Sequence, residues 1–355
     1  MRLRDWVFGL FGRKPRTEEA AIRQRGPAIH VIIMDGTMSS LEPGAETNAG
    51  LTFKLLREGS QGANMTVYYE AGIQWRDWAT TLDVITGRGI NRTIRRAYGV
   101  IASRYRPGDR IVLIGYSRGA FAVRSLAGVI GMVGLVRADA ATERNVTQAY
   151  RHYRTGGRSQ YAAAFRRLHC HPQVEIEAVA VWDTVKALGL RLPLVWRWGQ
   201  EQHNFHSAEL APHVRHGFHA LARDERRKAY TPVLWSCPPG WQGHVEQVWF
   251  KGNHADVGGQ VRAYPPARPL ANIPLVWMLD RLEACEVPLP TGWRDRFAQD
   301  VNAPSIGNWR GWARLFIARR RRVIGRDPSE RLHDSIAQRV QRRSFLRRAH
   351  DQASG

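Results

Sequence analysis

Short apolar runs alternate with amphipathic segments along most of this chain. The apolar runs are rich in β-branched and aromatic residues and end at glycine or polar residues, which is typical of buried strands. Residues 89–105 and 119–136 instead place apolar side chains at helical spacing. Strand signals lie within residues 28–34, 64–70, 110–117, 175–185 and 245–259.

The alternating order of these segments predicts an α/β fold. Strands separated by helices form a mostly parallel sheet that is covered by helices on both faces. Long helical pieces at 140–170 and at 190–235, the second rich in tryptophan, are expected as insertions over the carboxyl edge of the sheet. Open α/β sheets bind their ligands at that edge.

The chain divides into three predicted parts. Residues 1–27 form a basic N-terminal extension, and residues 28–307 form the α/β domain. Residues 308–355 form an arginine-rich C-terminal extension that packs on or flanks this domain, with helices expected around 309–324 and 328–347.

The charge balance of the chain is strongly basic, with 53 Lys+Arg against 31 Asp+Glu and a net charge of +22. Such an excess favours a polyanionic partner, although arginines spread over a surface for solubility give the same number. The tail lacks the interleaved aromatic residues of single-strand binding surfaces, which disfavours nucleic acid. Peripheral contact with an anionic membrane through the arginine-rich tail is therefore the preferred prediction.

Cysteine content and hydropathy narrow the class of protein further. Three cysteines without a C-x-x-C pair indicate neither a disulfide framework nor a zinc site of the cysteine type, and they suit a reducing cytoplasm. No apolar run approaches the ~20 residues that a spanning helix needs. Residues 1–14 lack a cleavage signal and are predicted to be a frayed end or a weak interfacial helix.

The first candidate catalytic motif is Gly115-Tyr116-Ser117-Arg118-Gly119, which lies between a predicted strand and a predicted helix. A G-x-S-x-G pattern in that context is a nucleophile elbow, in which a strained backbone exposes the serine hydroxyl. Side chains at Gly115 or Gly119 would collide with the neighbouring strand and helix. We therefore predict that Ser117 is a nucleophile.

A serine needs a base, and in hydrolases with this elbow the acid and then the histidine follow along the chain. Asp183 ends one later strand and His254 ends another, so they are the predicted acid and base. Asp256 is an alternative acid or a residue that caps its loop.

Two other histidines compete with His254 for the role of base. His219, in "HALARDERR", is expected on a helix, satisfied by Asp224 or the backbone. His333, in "RLHDSIAQRV", is the second alternative.

An oxyanion hole requires two hydrogen-bond donors. The N–H of Arg118 is the first prediction, because it follows the nucleophile at a helix start. The second is the N–H of Gly36 or Thr37 in "MDGT". Asp35 of the same loop is expected either to order the loop by hydrogen bonding or to oppose an oxyanion.

Seven ordered blocks, spread over residues 28–345, make the chain resemble a known family. It is similar to the uncharacterised α/β-hydrolase family that includes the phospholipase effectors of type VI secretion, of the first lipase-effector class. Gln260 and Met38 depart from the family pattern, in place of a third glycine after "DVGG" and an aromatic residue after "DGT". The blocks are "MDGTMSSLEPGAETNAG", "YYEAGI", "AYGVIASRYRPGDRIVLIGYSRGAFAVRSLAG", "VAVWDTVKALG", "HALARDERRKAYTPVLW", "VWFKGNHADVGGQV" and "RLHDSIAQRV".

The resemblance implies an α/β-hydrolase-like fold and hydrolysis of carboxylic esters, with phospholipids as the substrates in the effector branch. Ser117 carries over as nucleophile, with His254 and Asp183 as base and acid. No metal or organic cofactor is implied, and type VI delivery would be a non-Sec export route.

The leading hypothesis is a serine esterase or phospholipase that acts at an anionic membrane, with the tryptophan-rich insertions as an acyl-binding lid. A non-lipid acyl esterase is one alternative. A nucleic-acid-binding or membrane-binding protein on an inactive hydrolase scaffold is the other.

Overall fold

A single parallel sheet organises the chain in the computed structural model, which describes residues 26–72, 88–185, 210–237, 243–307 and 318–336. Within these ranges seven strands pair in the order β2-β1-β3-β4-β5-β6-β7, every pair being parallel. The strands are β1 (Ile29–Met34), β2 (Met65–Glu70), β3 (Arg110–Tyr116), β4 (Ile176–Trp182), β5 (Val214–Ala222), β6 (His244–Phe250) and β7 (Glu330–Leu332).

Helices cover both faces of this sheet, as the alternating pattern predicts. They are α1 (Asn48–Gly59), α2 (Arg88–Ala102), α3 (Arg118–Val133), α4 (Glu143–Arg154), α5 (Gln160–His169), α6 (His254–Gly258) and α7 (Arg268–Ala284). The predicted α/β-hydrolase-like architecture with a parallel sheet is confirmed.

Side-chain alternation along the strands divides the core into two layers. Ile32 and Met34 of β1 pack in one layer with α2, α3 and α4, whereas Val31 and Ile33 pack in the other with α1 and α7. This period-two division is what a strand buried on both faces requires. The sheet is thereby fixed from both sides, and the loops at its carboxyl edge have a rigid base.

The helical segment predicted over 140–170 is present as α4 and α5, and α4 packs against α2 and α3. The stretch predicted over 190–235 is different: residues 214–222 form strand β5, between β4 and β6. The helix expected at His219 is therefore wrong. Arg215, His216 and His219 interrupt the apolar residues of β5, so the segment lacks the continuous apolar run that is typical of a strand buried on both faces.

The described part of the arginine-rich tail agrees with the prediction only at residues 334–336, which are helical and lie within the helix expected around 328–347. Residues 318–324 are not helical, and residues 330–332 form β7 at the edge of the sheet. Backbone hydrogen bonds to residues 226–228 hold 318–320 in an extended conformation, so tertiary pairing outweighs local helix propensity here. The expected N-terminal interfacial helix and residues 190–209 of the expected lid lie outside the described residues.

Candidate active site

Ser117 occupies the sharp turn between β3 and α3. Its φ of 57° and ψ of −118° lie in a region that residues with a side chain rarely adopt. Although Ser117 stands at the N-cap of α3, its hydroxyl makes no capping hydrogen bond. The backbone N–H of Ser117 donates to Trp182 O at 3.0 Å, which ties the turn to β4. The Ser117 hydroxyl is therefore available to side chains from other loops.

The glycines of the motif allow the close packing around this turn. A Cβ on Gly119 would lie 2.1 Å from Met34 O, and a Cβ on Gly115 would lie 2.7 Å from the backbone of Ala120. Neither position has room for a side chain unless the backbone shifts. The strand–turn–helix expected from the sequence is therefore formed, with β1 pressed against the start of α3.

Three side chains from separate loops meet at this turn. His254 Nε2 lies 2.8 Å from Ser117 Oγ, and His254 Nδ1 lies 2.5 Å from Asp183 Oδ2. Asp183 follows β4 and His254 begins α6 after β6, so all three residues stand at the carboxyl edge of the sheet. The predicted acid, base and serine form one continuous hydrogen-bonded line.

Asp183 is completely buried, yet it is surrounded by donors. Ala222 N–H donates to Oδ1 at 3.0 Å, and Arg322 donates to both oxygens, at 2.5 and 2.9 Å. Burial alone would raise the pKa of Asp183, but the Arg322 guanidinium and the hydrogen bond from His254 outweigh it and hold the pKa well below its usual range. The carboxylate is therefore ionised at neutral pH.

His254 is packed between two aromatic rings. The ring centroids of Tyr116 and Tyr230 lie 5.0 and 4.7 Å from the imidazole, and Tyr116 Oη donates to the His254 carbonyl at 3.2 Å. Burial lowers the pKa of His254, and the hydrogen bond to Asp183 offsets only part of that effect. The imidazole is thus held in place and favoured in its neutral form.

A second buried ion pair supports the backbone of His254. Glu225 accepts from the His254 N–H at 3.2 Å and from Arg227 Nη2 at 2.6 Å, and Arg227 lies over the ring of Tyr230. Sequence analysis missed Glu225, Arg227 and Arg322. All three stand in charged stretches that are typical of exposed surface, and only tertiary contacts bring them inside.

Asp256 points away from the imidazole. Its carboxylate accepts hydrogen bonds from Ser305 Oγ at 2.5 Å and from the N–H groups of Ile306 and Asn253, both at 2.9 Å. With Asn253 it forms a capping box at the start of α6. The structure thus places Asp256 in the loop-capping position and brings Asp183 to His254.

The two alternative histidines lie elsewhere. His219, on β5, accepts from Thr184 N–H at 3.1 Å, and burial lowers its pKa to about 3. The ring of His333 stacks on Phe250, and its Nδ1 lies 2.9 Å from Ser335 Oγ. Neither ring is hydrogen-bonded to Ser117.

The "MDGT" loop lies beside the elbow, but one of its two candidate oxyanion donors is already bonded within the loop. Gly36 N–H donates to Asp35 Oδ1 at 2.6 Å, and Asp35 Oδ2 accepts from Thr47 and Tyr69. Burial raises the pKa of Asp35 to about 6. Asp35 therefore orders the loop and takes up the Gly36 N–H. A side-chain hydrogen bond from the Arg118 guanidinium to Thr37 Oγ1 joins the loop to α3.

Among the described residues, one group has the donor types of a metal site. The ligand atoms of Glu177, His216 and Cys285 lie within 4.8 Å of one another. Glu177 and His216 stand near the starts of β4 and β5, at the end of the sheet opposite Ser117. Arg215 lies 3.7 Å from the Glu177 carboxylate and balances its charge.

A protein-family model matches this chain over most of its fold. The model of the catalytic domain of Tle1-like phospholipase effectors of type VI secretion matches residues 29–281. The chain belongs to this family. The matched range contains Ser117, Asp183 and His254, and it ends before β7 and Arg322.

Individual relatives of this Tle1-like domain are distant. The uncharacterized protein YEL023C of Saccharomyces cerevisiae is 26% identical over 235 residues, which are 59% of this chain and 33% of the yeast protein. The chain thus spans about a third of the length of that relative.

Two solved structures are also similar, both at low identity. An uncharacterized protein from Pseudomonas aeruginosa gives a TM-score of 0.42 at 16% identity, with 77% of this chain and 49% of that one covered. The Tle1 effector bound to the VgrG spike of the type VI secretion system gives 0.37 at 17% identity, with 66% and 51% covered. Both scores are below 0.5, so these similarities add nothing to the family assignment.

No helix of the described ranges is both long and apolar enough to span a bilayer.

Proposed function

We propose that this chain is a serine hydrolase that cleaves acyl esters of phospholipids or related lipids through an acyl-enzyme. The observation that carries the proposal is the hydrogen-bonded line from Ser117 Oγ through His254 to the ionised Asp183. A serine hydroxyl alone is a poor nucleophile at neutral pH, and a neutral imidazole within hydrogen-bond distance is the group that activates it.

In the proposed acylation step, Ser117 Oγ attacks the ester carbonyl while His254 Nε2 takes its proton. Asp183 accepts the Nδ1–H and stabilises the imidazolium that forms. As the tetrahedral intermediate collapses, His254 returns the proton to the leaving alkoxide. The products are the lyso-lipid or alcohol and an acyl ester on Ser117.

In the proposed deacylation step, water attacks the acyl carbonyl and His254 takes one of its protons. The proton returns to Ser117 Oγ when the C–O bond of the acyl-enzyme breaks, and the fatty acid leaves. The enzyme is thereby restored, and one water molecule has been consumed for each ester that is cleaved.

We assign the oxyanion donors to the N–H groups of Arg118 and Thr37. Arg118 is the first residue of α3, where N–H groups have no acceptor within the helix and the helix dipole favours negative charge. Thr37 is preferred to Gly36 because the Gly36 N–H is directed at Asp35. A Cβ on Gly36 would lie 3.4 Å from Ser117 Cβ, so this loop is close enough to supply a donor.

We also propose that residues 28–307 form the catalytic domain and that two arginines of the following segment, Arg320 and Arg326, contact anionic lipid. Both are exposed, in contrast to Arg322. Each basic residue near an anionic surface contributes about 1 kcal/mol to binding. Delivery by type VI secretion is part of the same proposal and is supported by the family alone.

The test of function uses the full chain, a fluorophosphonate probe and two substrate classes. We expect wild type to react with the probe and to hydrolyse phosphatidylglycerol vesicles, and Ser117→Ala to do neither. Ser103→Ala, which changes an exposed serine at the end of α2, is the control and should match wild type.

Three results would count against parts of this proposal. Undiminished hydrolysis by Ser117→Ala would overturn the assigned nucleophile. Activity on short p-nitrophenyl esters without activity on any lipid vesicle would indicate a non-lipid esterase. Folded wild type that neither reacts with the probe nor hydrolyses an ester would indicate a binding role.

A further inference from the structure

The segment 318–336, here called the C-terminal strap, is attached to the loop 226–228 at one end and to strand β6 at the other. At one end Arg320 N–H donates to Arg226 O at 2.7 Å, and Lys228 N–H donates to Ala318 O at 2.9 Å. At the other end β7 pairs with β6. The strap therefore reaches the loop that holds Asp183, although the family match ends at residue 281.

Arg322 lies between these two attachments and points inward. Its side chain is only 5% exposed, in contrast to the exposed neighbour Arg321. It donates to both carboxylate oxygens of Asp183, to Ala222 O at 2.7 Å and to Tyr230 O at 2.5 Å. The two carbonyls fix the guanidinium, and the guanidinium fixes the plane of the carboxylate.

The same carboxylate oxygen serves two partners. Asp183 Oδ2 accepts from His254 Nδ1 and from Arg322 Nη2, so any rotation of the carboxylate breaks contacts with both. A two-pronged contact between arginine and a carboxylate is both strong and directional. Lysine, with a single ammonium, cannot reproduce it.

We propose that Arg322 is a positioning residue of the active site. It aligns the Asp183 carboxylate with His254 and partly neutralises the negative charge of that carboxylate. The proposal rests on the proposed function. It makes the C-terminal strap a part of the catalytic apparatus, because Arg322 binds Asp183 on the carboxylate that also accepts from His254. The hydrogen bonds of the Arg322 side chain go to Asp183, Ala222 O and Tyr230 O, so we expect its effect to reach the substrate through Asp183 and His254.

The positive charge of Arg322 should lower the pKa of His254. A bare buried carboxylate would stabilise the imidazolium strongly and raise the pKa of His254. Arg322 balances the charge of Asp183, as Arg227 balances that of Glu225 beside the His254 N–H, so the imidazole stays neutral to lower pH and remains ready to accept a proton. Loss of the guanidinium should therefore narrow the active pH range from the acid side.

The experiment compares Arg322→Gln and Arg322→Lys with the matched control Arg321→Gln, each in the full chain. Arg321→Gln removes the same charge from the next position and should leave the pH profile as in wild type. For Arg322→Gln we expect kcat to fall about 10- to 100-fold with little change in KM. The acidic limb of kcat/KM should move up by about one pH unit.

Arg322→Lys separates alignment from charge. It keeps the positive charge, so the acidic limb should stay near that of wild type while kcat still falls. It also keeps the proposal testable if Arg322→Gln does not fold, which circular dichroism and thermal melting will reveal. In an Asp183→Asn background, replacement of Arg322 should reduce kcat little further, because the two residues act as one unit.

An NMR titration of the His254 ring gives a readout that needs no substrate. We expect a higher pKa for His254 in Arg322→Gln than in Arg321→Gln. Equal pKa values, or equal kcat and pH profiles in the two variants, would overturn the positioning role. Wild type that hydrolyses no ester would instead overturn the proposed function, and the titration would still decide the role of Arg322.

Discussion

The ring of Tyr116 occupies the space that a side chain at position 258 would need: a Cβ on Gly258 would lie 1.9 Å from Tyr116 Cε2. Tyr116 precedes the candidate nucleophile, and Gly258 ends the short helix α6 that begins with His254. The ring also packs on the imidazole and donates to the His254 carbonyl. This contact sets the distance between the serine turn and the histidine helix.

Gly258→Ala should therefore separate the two loops. We expect kcat for ester hydrolysis to fall about 100-fold, because a displacement of about 1 Å between base and nucleophile is that costly. Gly26→Ala, where nothing lies within 4 Å of the added Cβ, is the control. Steady-state kinetics and reaction with the fluorophosphonate probe measure the effect. Wild-type rates in a folded Gly258→Ala protein would refute it.

The two aspartates near His254 should behave differently. Asp183→Asn should lower kcat/KM by about 10³- to 10⁴-fold, since the amide favours the wrong imidazole tautomer. Asp256→Asn should keep kcat within a few-fold but lower the free energy of unfolding by about 1–3 kcal/mol, because an amide nitrogen replaces one of the two carboxylate oxygens that accept from Ser305 and Ile306. Kinetics and urea unfolding of both variants test this. The reverse pattern would assign the acid to Asp256.

The pH dependence of kcat/KM should reflect the neutral form of His254. Burial lowers the pKa of this imidazole below the usual 6.5, and only the neutral ring accepts the Ser117 proton. Activity should therefore persist below pH 6.5 and be lost only as the pH falls through the lowered pKa. A profile measured with a soluble ester over pH 4–9 checks this. An acidic limb centred above pH 6.5 would contradict it.

His219 should make the protein less stable in mild acid. Its folded pKa of about 3 lies below the unfolded value of 6.5, so the unfolded chain takes up a proton that the folded one refuses. The contribution of His219 is complete above pH 6.5 and declines between pH 6.5 and 3, by at most about 1.4 kcal/mol per pH unit.

His219→Gln, which keeps an acceptor for Thr184 N–H, should lose stability less steeply over that range. Urea unfolding of both proteins at pH 7.5 and 5 measures the difference. Parallel losses would show that His219 does not titrate in this way.

The pattern of apolar and polar residues predicted much of the fold. The strand and helix signals around Ser117 predicted β3, the turn and α3, since a short apolar run, two glycines and a helical period leave few alternatives. The pattern failed at β5 and in the arginine-rich tail. There the deciding contacts come from residues distant in sequence, and composition indicated a helix or a solvated surface instead.

The candidate site divides in the same way. The sequence by itself determined which residue types stand at the ends of the strands, and hence Ser117, Asp183 and His254 as predictions, because parallel strands bring their carboxyl ends to one edge. Only the tertiary structure decided that Asp256 caps a loop, that Gly36 N–H serves Asp35, and that Arg322 is buried on Asp183. A side chain's partners depend on the direction of its bonds and on the donors around it, and neither is fixed by its position in the chain.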